Sequence, residues 1–109
     1  MDNTAIIPDR TTVDEIIGHM HTSLQKYGVD PCHIALFGSF LNGSNHKESD
    51  MDVIVISELF EGKNISERIN MILKAESEVR KRYVVPMDIL LKTPQEYQNT
   101  TYFESRIVV

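Results

Sequence analysis

The sequence has no means to crosslink itself and no segment that could anchor it in a membrane. Cys32 is the one cysteine among 109 residues, so an internal disulfide is impossible and a zinc site built from several thiolates is excluded. No apolar run approaches the roughly 20 residues of a transmembrane helix, and residues 1–10 lack the basic and apolar regions of a signal peptide. We therefore expect a cytoplasmic protein, with Cys32 packed as a small apolar side chain.

Positive charge is also scarce. Sixteen Asp and Glu residues against eleven Lys and Arg residues give a net charge of −5, which disfavours a protein that binds the phosphate backbone of DNA or RNA without help. The apolar fraction of 41% and the charged fraction of 25% are typical of an ordinary globular domain. A chain of 109 residues can build one core, so we predict a single domain over residues 1–109, without a separate substrate domain.

Helices and short apolar strands alternate along the chain. The spacing of apolar residues predicts, in order, a helix at Thr12–Tyr27, strands at His33–Phe37 and Met51–Ser57, a helix at Asn64–Tyr83, a strand at Val84–Leu91 and a helix from Thr93. With a helical turn after the first strand, the order is α-β-(α)-β-α-β-α. It predicts an α/β (α+β) fold, a small mixed sheet flanked by helices. Whether the first two strands run parallel or antiparallel stays open.

Local signals mark several ends of these elements. Pro86 near the start of the third strand favours an edge position in the sheet, and we expect residues 103–109 to fray at the end of the chain. Capping boxes, in which a side chain and a glutamate three residues later bond to each other's backbone, predict three helix starts. The pairs are Thr12 with Glu15, Asn64 with Glu67 and Thr93 with Glu96.

Three aspartates interrupt the apolar strands. Asp50 and Asp52 stand at the head of the second strand, and Asp88 lies inside the third. Side chains two residues apart in a strand project from the same face, about 6 to 7 Å apart, and a neighbouring strand lies about 4.8 Å away. If the two strands are adjacent, the three carboxylates converge. A turn or cap role for Asp-x-Asp is the alternative.

Converging carboxylates repel one another unless a cation lies among them. Oxygen ligands suit Mg²⁺, and two such ions can hold the attacking and leaving oxygens of a phosphoryl displacement. Gly38-Ser39 ends the first strand, where a glycine lets the backbone approach a ligand and a helical turn would point N–H groups at a phosphate. Gly-Ser is also a common way to leave a strand.

These four anchors resemble a known superfamily. An apolar residue followed by Gly38-Ser39, about ten residues, Asp50-Met51-Asp52 and a later strand aspartate is the pattern of nucleotidyltransferases such as DNA polymerase beta and kanamycin nucleotidyltransferase. The resemblance covers Ile34–Leu91 and is strongest to the minimal nucleotidyltransferases of prokaryotes. Those proteins are often encoded beside a HEPN-domain protein as a toxin–antitoxin pair.

The resemblance implies a role for each anchor. Gly38 and Ser39 would hold the triphosphate, Asp50 and Asp52 would bind two Mg²⁺ ions, and Asp88 would complete one metal site and act as general base. The reaction would transfer a nucleoside monophosphate, AMP from ATP, to a hydroxyl group and release pyrophosphate. The expected acceptor is a tyrosine of a HEPN toxin, which would make the protein an antitoxin.

Other functions stay open. The chain could be a binding module that neutralises its partner without catalysis, while transfer to a small molecule such as an aminoglycoside is disfavoured because the chain has no room for a drug-binding domain. One departure from the family matters: Phe40, Leu41 and Asn42 occupy positions where many relatives carry Arg or Lys. Neutralisation of the phosphates would then depend on metal or on a residue such as Lys47.

Overall fold

The computed structural model describes residues 10–43, 50–100 and 104–109, which form four α-helices, a short 3-10 helix at Glu58–Phe60 and four strands. Lys47, the residue expected to help neutralise the phosphates, lies outside the described residues. In chain order the elements are α1 (Arg10–Lys26), β1 (His33–Phe37), α2 (Ser39–Asn42), β2 (Met51–Ile56), α3 (Ile65–Arg82), β3 (Met87–Lys92), α4 (Pro94–Gln98) and β4 (Ser105–Ile107). The predicted fold class is confirmed.

The four strands form one mixed sheet in the order β3-β2-β1-β4. Strands β1 and β2 pair antiparallel, which answers the question that the sequence left open, and β2 and β3 pair parallel. Strand β3 lies at the edge of the sheet, directly after Pro86, as the proline predicted. The aspartate-bearing strands β2 and β3 are therefore neighbours.

Two long helices cover one face of the sheet. The apolar stripe predicted for α1 is buried in full, with exposures of 0% to 3% at Val13, Ile16, Ile17, Met20 and Leu24. It packs with Ile72 and Val79 of α3 and with the residues of β1 and β2 that point to that side. Strand β2 is buried on both faces, which explains its nearly continuous apolar sequence.

Two of the three predicted capping boxes form. The capping boxes of Asn64 with Glu67 and Thr93 with Glu96 both form, at the starts of α3 and α4. The prediction for Thr12 is wrong, because α1 already begins at Arg10. The Thr-x-x-Glu pattern is local and carries no information on whether the helix extends further toward the N-terminus.

The end of the chain does not fray as expected. Residues Ser105–Ile107 form β4 and pair antiparallel with β1, whose backbone groups on that edge would otherwise lack partners. Beyond β4, the N–H of Ile34 donates to Val109 O at 3.1 Å, and the N–H of Val108 donates to Ile34 O at 2.8 Å. The C-terminal segment is thus an integral part of the sheet.

A buried arginine ties α3 to the segment after β3. Arg68 is 9% exposed, and its guanidinium donates to the two carboxylate oxygens of Glu96 at 2.6 and 3.2 Å. It also donates to the carbonyl oxygens of Lys63 at 2.9 Å and Leu91 at 3.0 Å. These bonds satisfy the buried cation and lower the pKa of the Glu96 carboxyl to about 2.

A second carboxylate joins the two covering helices. Glu78 on α3 accepts hydrogen bonds from the Tyr27 hydroxyl, from Lys26 Nζ at 2.9 Å and from Ser23 Oγ at 3.1 Å. The Tyr27 hydrogen bond and then that of Lys26 lower the pKa of Glu78 to about 2. The ionised carboxylate is therefore the form that holds α1 and α3 together.

The low pKa of Glu78 predicts a pH-dependent stability. The contribution of the ionised group is present above about pH 4.5 and is lost as the pH falls toward about 2. We expect Glu78→Gln to lower the urea midpoint at pH 7 and to match the wild type near pH 2. Urea titrations followed by circular dichroism measure this, with the exposed Glu61→Gln as control. A deficit of Glu78→Gln that is equal at both pH values would contradict it.

Candidate functional site

Asp52 and Asp88 lie side by side in the sheet. They are register partners across the parallel β2–β3 pair, and Asp52 also faces Phe37 on β1. Neighbouring strands are about 4.8 Å apart, so the two carboxylates project close to each other. Strands β2 and β3 are therefore adjacent, as the predicted convergence of the carboxylates required.

The negative charges of Asp88 and Asp50 act on the Asp52 carboxylate. Asp50 directly precedes β2 and is exposed, as is Asp88, while Asp52 is partly buried. The pKa of the Asp52 carboxyl is raised above its ordinary value, first by burial and then by the negative charges of Asp88 and Asp50. The structure thus gathers the three predicted carboxylates at one end of the sheet, with Asp52 at the centre.

This donor set fits a hard divalent cation by its chemistry, although it is not a closed cage. Within residues 10–43, 50–100 and 104–109, no group of three or more His, Cys, Asp or Glu side chains is assembled in metal-binding geometry. Mg²⁺ needs no such group, because it usually takes one or two carboxylates together with waters and substrate phosphates. A cation here would also relieve the repulsion that raises the pKa of Asp52.

Gly38 occupies a backbone conformation that is essentially restricted to glycine. Its φ of 75° and ψ of −155° lie outside the regions open to residues with a Cβ. A Cβ at this position would also lie 3.2 Å from Asp52 Cγ and clash with Asp52 Oδ2. The glycine thus brings the end of β1 against the central carboxylate, and the close approach predicted for it is one to Asp52.

The short helix α2 begins at Ser39, next to this contact. Ser39 is partly buried, and no side chain caps the helix at Gly38. A cavity of about 380 Å³ adjoins the same turn and is lined by Phe37, Gly38, Leu41, Asn42 and Glu104. Space for a ligand therefore lies beside Gly38, within reach of the turn.

Sequence reasoning missed Glu104. This carboxylate lines the cavity because β4 returns to the edge of β1, and no element was predicted there. The signal that was available, alternation in Glu104-Ser105-Arg106-Ile107, is too short to distinguish a strand from a chain end.

The sequence of this chain matches a known protein family. Residues 22–109 match the family model described as the nucleotidyltransferase domain. The match includes every predicted site residue and most of the chain. A search of curated proteins gives no significant match.

Solved structures share the fold. A candidate nucleotidyltransferase from Sulfolobus solfataricus superposes with a TM-score of 0.67 at 13% identity, over 86% of this chain and 77% of that one. A second candidate nucleotidyltransferase gives 0.51 at 21% identity, over 87% and 95%. BolA1 from Arabidopsis thaliana gives 0.52 at 23% identity, over 74% and 94%. At such identities the likeness concerns the fold alone.

The close contact between Gly38 and Asp52 predicts that one added methyl group strongly lowers the free energy of unfolding. We expect Gly38→Ala to lower the free energy of unfolding by about 2 kcal/mol or more, because it adds a clash with Asp52 to an unfavourable φ. Gly62→Ala is the matched control, since Gly62 has a φ of 73° and no atom within 4 Å of its added Cβ. Urea unfolding measures both. Equal losses would show that the contact with Asp52 is unimportant.

The raised pKa of Asp52 predicts that its charge destabilises the metal-free fold. Because the folded chain resists ionisation of Asp52 more than the unfolded chain does, Asp52→Asn should raise the Tm at pH 7. The gain should shrink as the pH falls through the raised pKa toward 3.8, and it should be absent below 3.8. Thermal scans measure this, with the exposed Asp30→Asn as control. A lower Tm of Asp52→Asn at pH 7 would refute the prediction.

Proposed function

Because this chain belongs to the nucleotidyltransferase domain family, we propose that it transfers AMP from ATP to a hydroxyl group of a protein. The proposed acceptor is a tyrosine of a HEPN-domain toxin, and the transfer would make this protein a cytoplasmic antitoxin. The family establishes a role in nucleotidyl transfer. The donor, the acceptor and the partner are the proposal.

One observation supports the location of the reaction. Gly38 lies against Asp52, and Asp52 is the register partner of Asp88. A turn that can approach phosphates and a pair of carboxylates that can hold a cation and accept a proton are thus adjacent. This combination is what a nucleotidyl transfer requires, and the cavity beside Gly38 gives the donor a place to enter.

Each residue of the site has a role in the proposed reaction that follows from its position. Gly38 and Ser39 bind the triphosphate through backbone N–H groups and the serine hydroxyl. Asp88 accepts the proton of the acceptor hydroxyl, whose oxygen attacks the α-phosphorus. A new oxygen–phosphorus bond forms as the bond to the bridging oxygen of the β-phosphate breaks, and pyrophosphate leaves. Asp52 lies between Gly38 and Asp88 and fixes the position of one relative to the other.

Two Mg²⁺ ions are the proposed cofactor. Asp50, Asp52 and Asp88 would hold them, and the bound ions would supply the positive charge that stabilises the attacking and leaving oxygens. The chain itself offers little such charge near the turn, since Phe40, Leu41 and Asn42 follow Ser39. Dependence on a divalent cation is therefore stronger here than it would be with an arginine at one of these positions.

The test is a transfer assay with the whole chain. Purified protein, Mg²⁺ and ATP labelled at the α-phosphate are incubated with a HEPN-domain protein encoded beside it, and label on that protein is measured. We expect Asp52→Asn and Asp88→Asn each to reduce the transfer rate at least about 100-fold, because each removes a carboxylate from the reacting centre. Asp30→Asn, at the other end of β1, should retain the rate.

The assay also separates the alternatives. A tyrosine-to-phenylalanine change in the labelled partner should abolish the label if the acceptor is correct. Neutralisation of the toxin that persists in the triple variant Asp50→Asn, Asp52→Asn and Asp88→Asn, without transfer in the wild type, would favour a binding module. Label on the partner that is equal in wild type and Asp52→Asn would overturn the proposed site.

A further inference from the structure

The two edges of the sheet differ in how their backbone groups are covered. On β3, the carbonyl oxygens of Met87 and Leu91 accept hydrogen bonds from Arg80 at 3.1 Å and from Arg68 at 3.0 Å. A strand that added to β3 would have to displace these arginines, and an edge covered in this way resists such addition. A further strand is therefore more easily added at β4, the other edge of the sheet.

Strand β4 directs part of its backbone away from β1. The N–H of Val108 donates to Ile34 O at 2.8 Å. Because alternate residues of an antiparallel strand bond to the same neighbour, Arg106 also faces β1, whereas the N–H and C=O groups of Ser105 and Ile107 point to the open edge. Among the described residues no strand lies beyond β4. Such an edge is a template for pairing with another chain.

Strand β4 is also held in place on both faces of the sheet. On one face the hydroxyls of Tyr97 and Ser105 form a hydrogen bond of 2.7 Å. On the other face the guanidinium of Arg106 lies 3.9 Å from a carboxylate oxygen of Asp14 on α1. Since β1 pairs with it as well, β4 already has the extended conformation that an added strand requires. Association then loses little conformational entropy.

Two opposite charges flank the outward backbone of Ser105. Glu104 and Arg106 stand on either side of it, and their spacing of two residues places both on one face of the extended chain. Glu104 is exposed. Arg106 is partly exposed, and its 3.9 Å distance to Asp14 is too long for a hydrogen bond. Its Nε has no hydrogen-bond acceptor among the described residues, so Arg106 has donors left for a second carboxylate.

These charges distinguish the registers in which β4 could pair with a second copy of itself. An outward residue must face an outward residue, so an antiparallel pair is centred on Ser105, on Arg106 or on Ile107. Centred on Ser105, each Glu104 lies opposite Arg106 of the other copy. Centred on Arg106, the two arginines lie opposite each other, and centred on Ile107, Arg106 lies opposite Val108. Opposite charges stabilise a cross-strand pair and like charges destabilise it, which favours the first register.

We propose that two copies of this chain associate through β4, antiparallel about a two-fold axis at Ser105. The N–H of each Ser105 donates to the carbonyl oxygen of the other, and Glu104 pairs with Arg106 on both sides of the axis. The two sheets become one continuous sheet, with four strands from each copy. Such an interface is isologous and closes as a dimer.

The dimer has a consequence for the candidate site. Glu104 lines the cavity of about 380 Å³ beside Gly38 and is the one charged residue among the described residues that line it. In the dimer, Arg106 of the second copy lies beside Glu104 and offsets its charge. This lowers the repulsion of an anionic donor in the cavity, a consequence that rests on the proposed function, whereas the dimer itself does not.

Sedimentation of the full chain tests the dimer. The interface is small, so we expect monomer and dimer to exchange with a dissociation constant on the order of 100 µM. Ser105→Pro removes the N–H that the second copy requires and no bond to β1, so it should raise the constant at least about tenfold. Ser105→Ala is the matched control. It loses the hydrogen bond to Tyr97 but keeps the N–H, and it should dimerise like the wild type.

Charge exchange tests the register. Glu104→Arg places arginines opposite each other at both pairs, and Arg106→Glu places glutamates there, so each variant alone should dimerise at least about tenfold more weakly. An equimolar mixture has opposite charges at both pairs and should recover a heterodimer, as should a single chain that carries both changes. Asp14→Asn is the control for the loss of the internal ion pair of Arg106, and it should not weaken the dimer.

Three results would each overturn the proposal. They are a wild type that stays monomeric up to about 1 mM, Ser105→Pro that dimerises as well as Ser105→Ala, and a mixture of the two charge variants that associates no better than its components. None of these measurements uses ATP, metal or a partner protein. Failure of the dimer is therefore distinguishable from failure of the proposed function, which the transfer assay tests.

Discussion

The placement of three carboxylates at one end of the sheet, with Asp52 partly buried among them, is the constraint on which the candidate site depends. Asp52 stands between Gly38, which directly follows β1, and Asp88 on β3. Burial, followed by the charges of Asp88 and Asp50, raises the pKa of Asp52. A flexible chain would separate these charges. They stay together because they lie on strands whose registers are fixed by backbone hydrogen bonds and by burial. The site is thus a cluster of negative charge supported by a rigid sheet.

The support comes from residues far from the site. Strand β2 has its apolar side chains buried on both faces, so a shift of one residue would bring Asp52 into the core and is strongly disfavoured. Helices α1 and α3 are joined by the ion pair of Lys26 with Glu78, and Arg68 joins α3 to Glu96 beyond β3. Both are ionic contacts between elements distant in sequence. They hold the layers that keep β2 and β3 in register.

Much of this could be predicted from local sequence, and the remainder could not for a physical reason. Strand β1 has the predicted bounds, and the capping boxes at Asn64 and Thr93 form, since these features depend on residues within one turn or one run. Strand β4 was missed because its three residues exist as a strand only through β1. The approach of Gly38 to Asp52 likewise depends on the pairing of β1 with β2. The sequence nevertheless identified both residues as candidates for the site.

The fold alone does not decide the chemistry, because function depends on the residues placed on the fold. In this chain those residues are mainly acidic. Its net charge of −5 opposes an anionic substrate, and the residues that line the cavity beside Gly38 include Glu104 and no Lys or Arg among the described part of the chain. The proposed binding of a triphosphate there would be favoured by bound cations. Under the same proposal, the clustered aspartates would hold those cations.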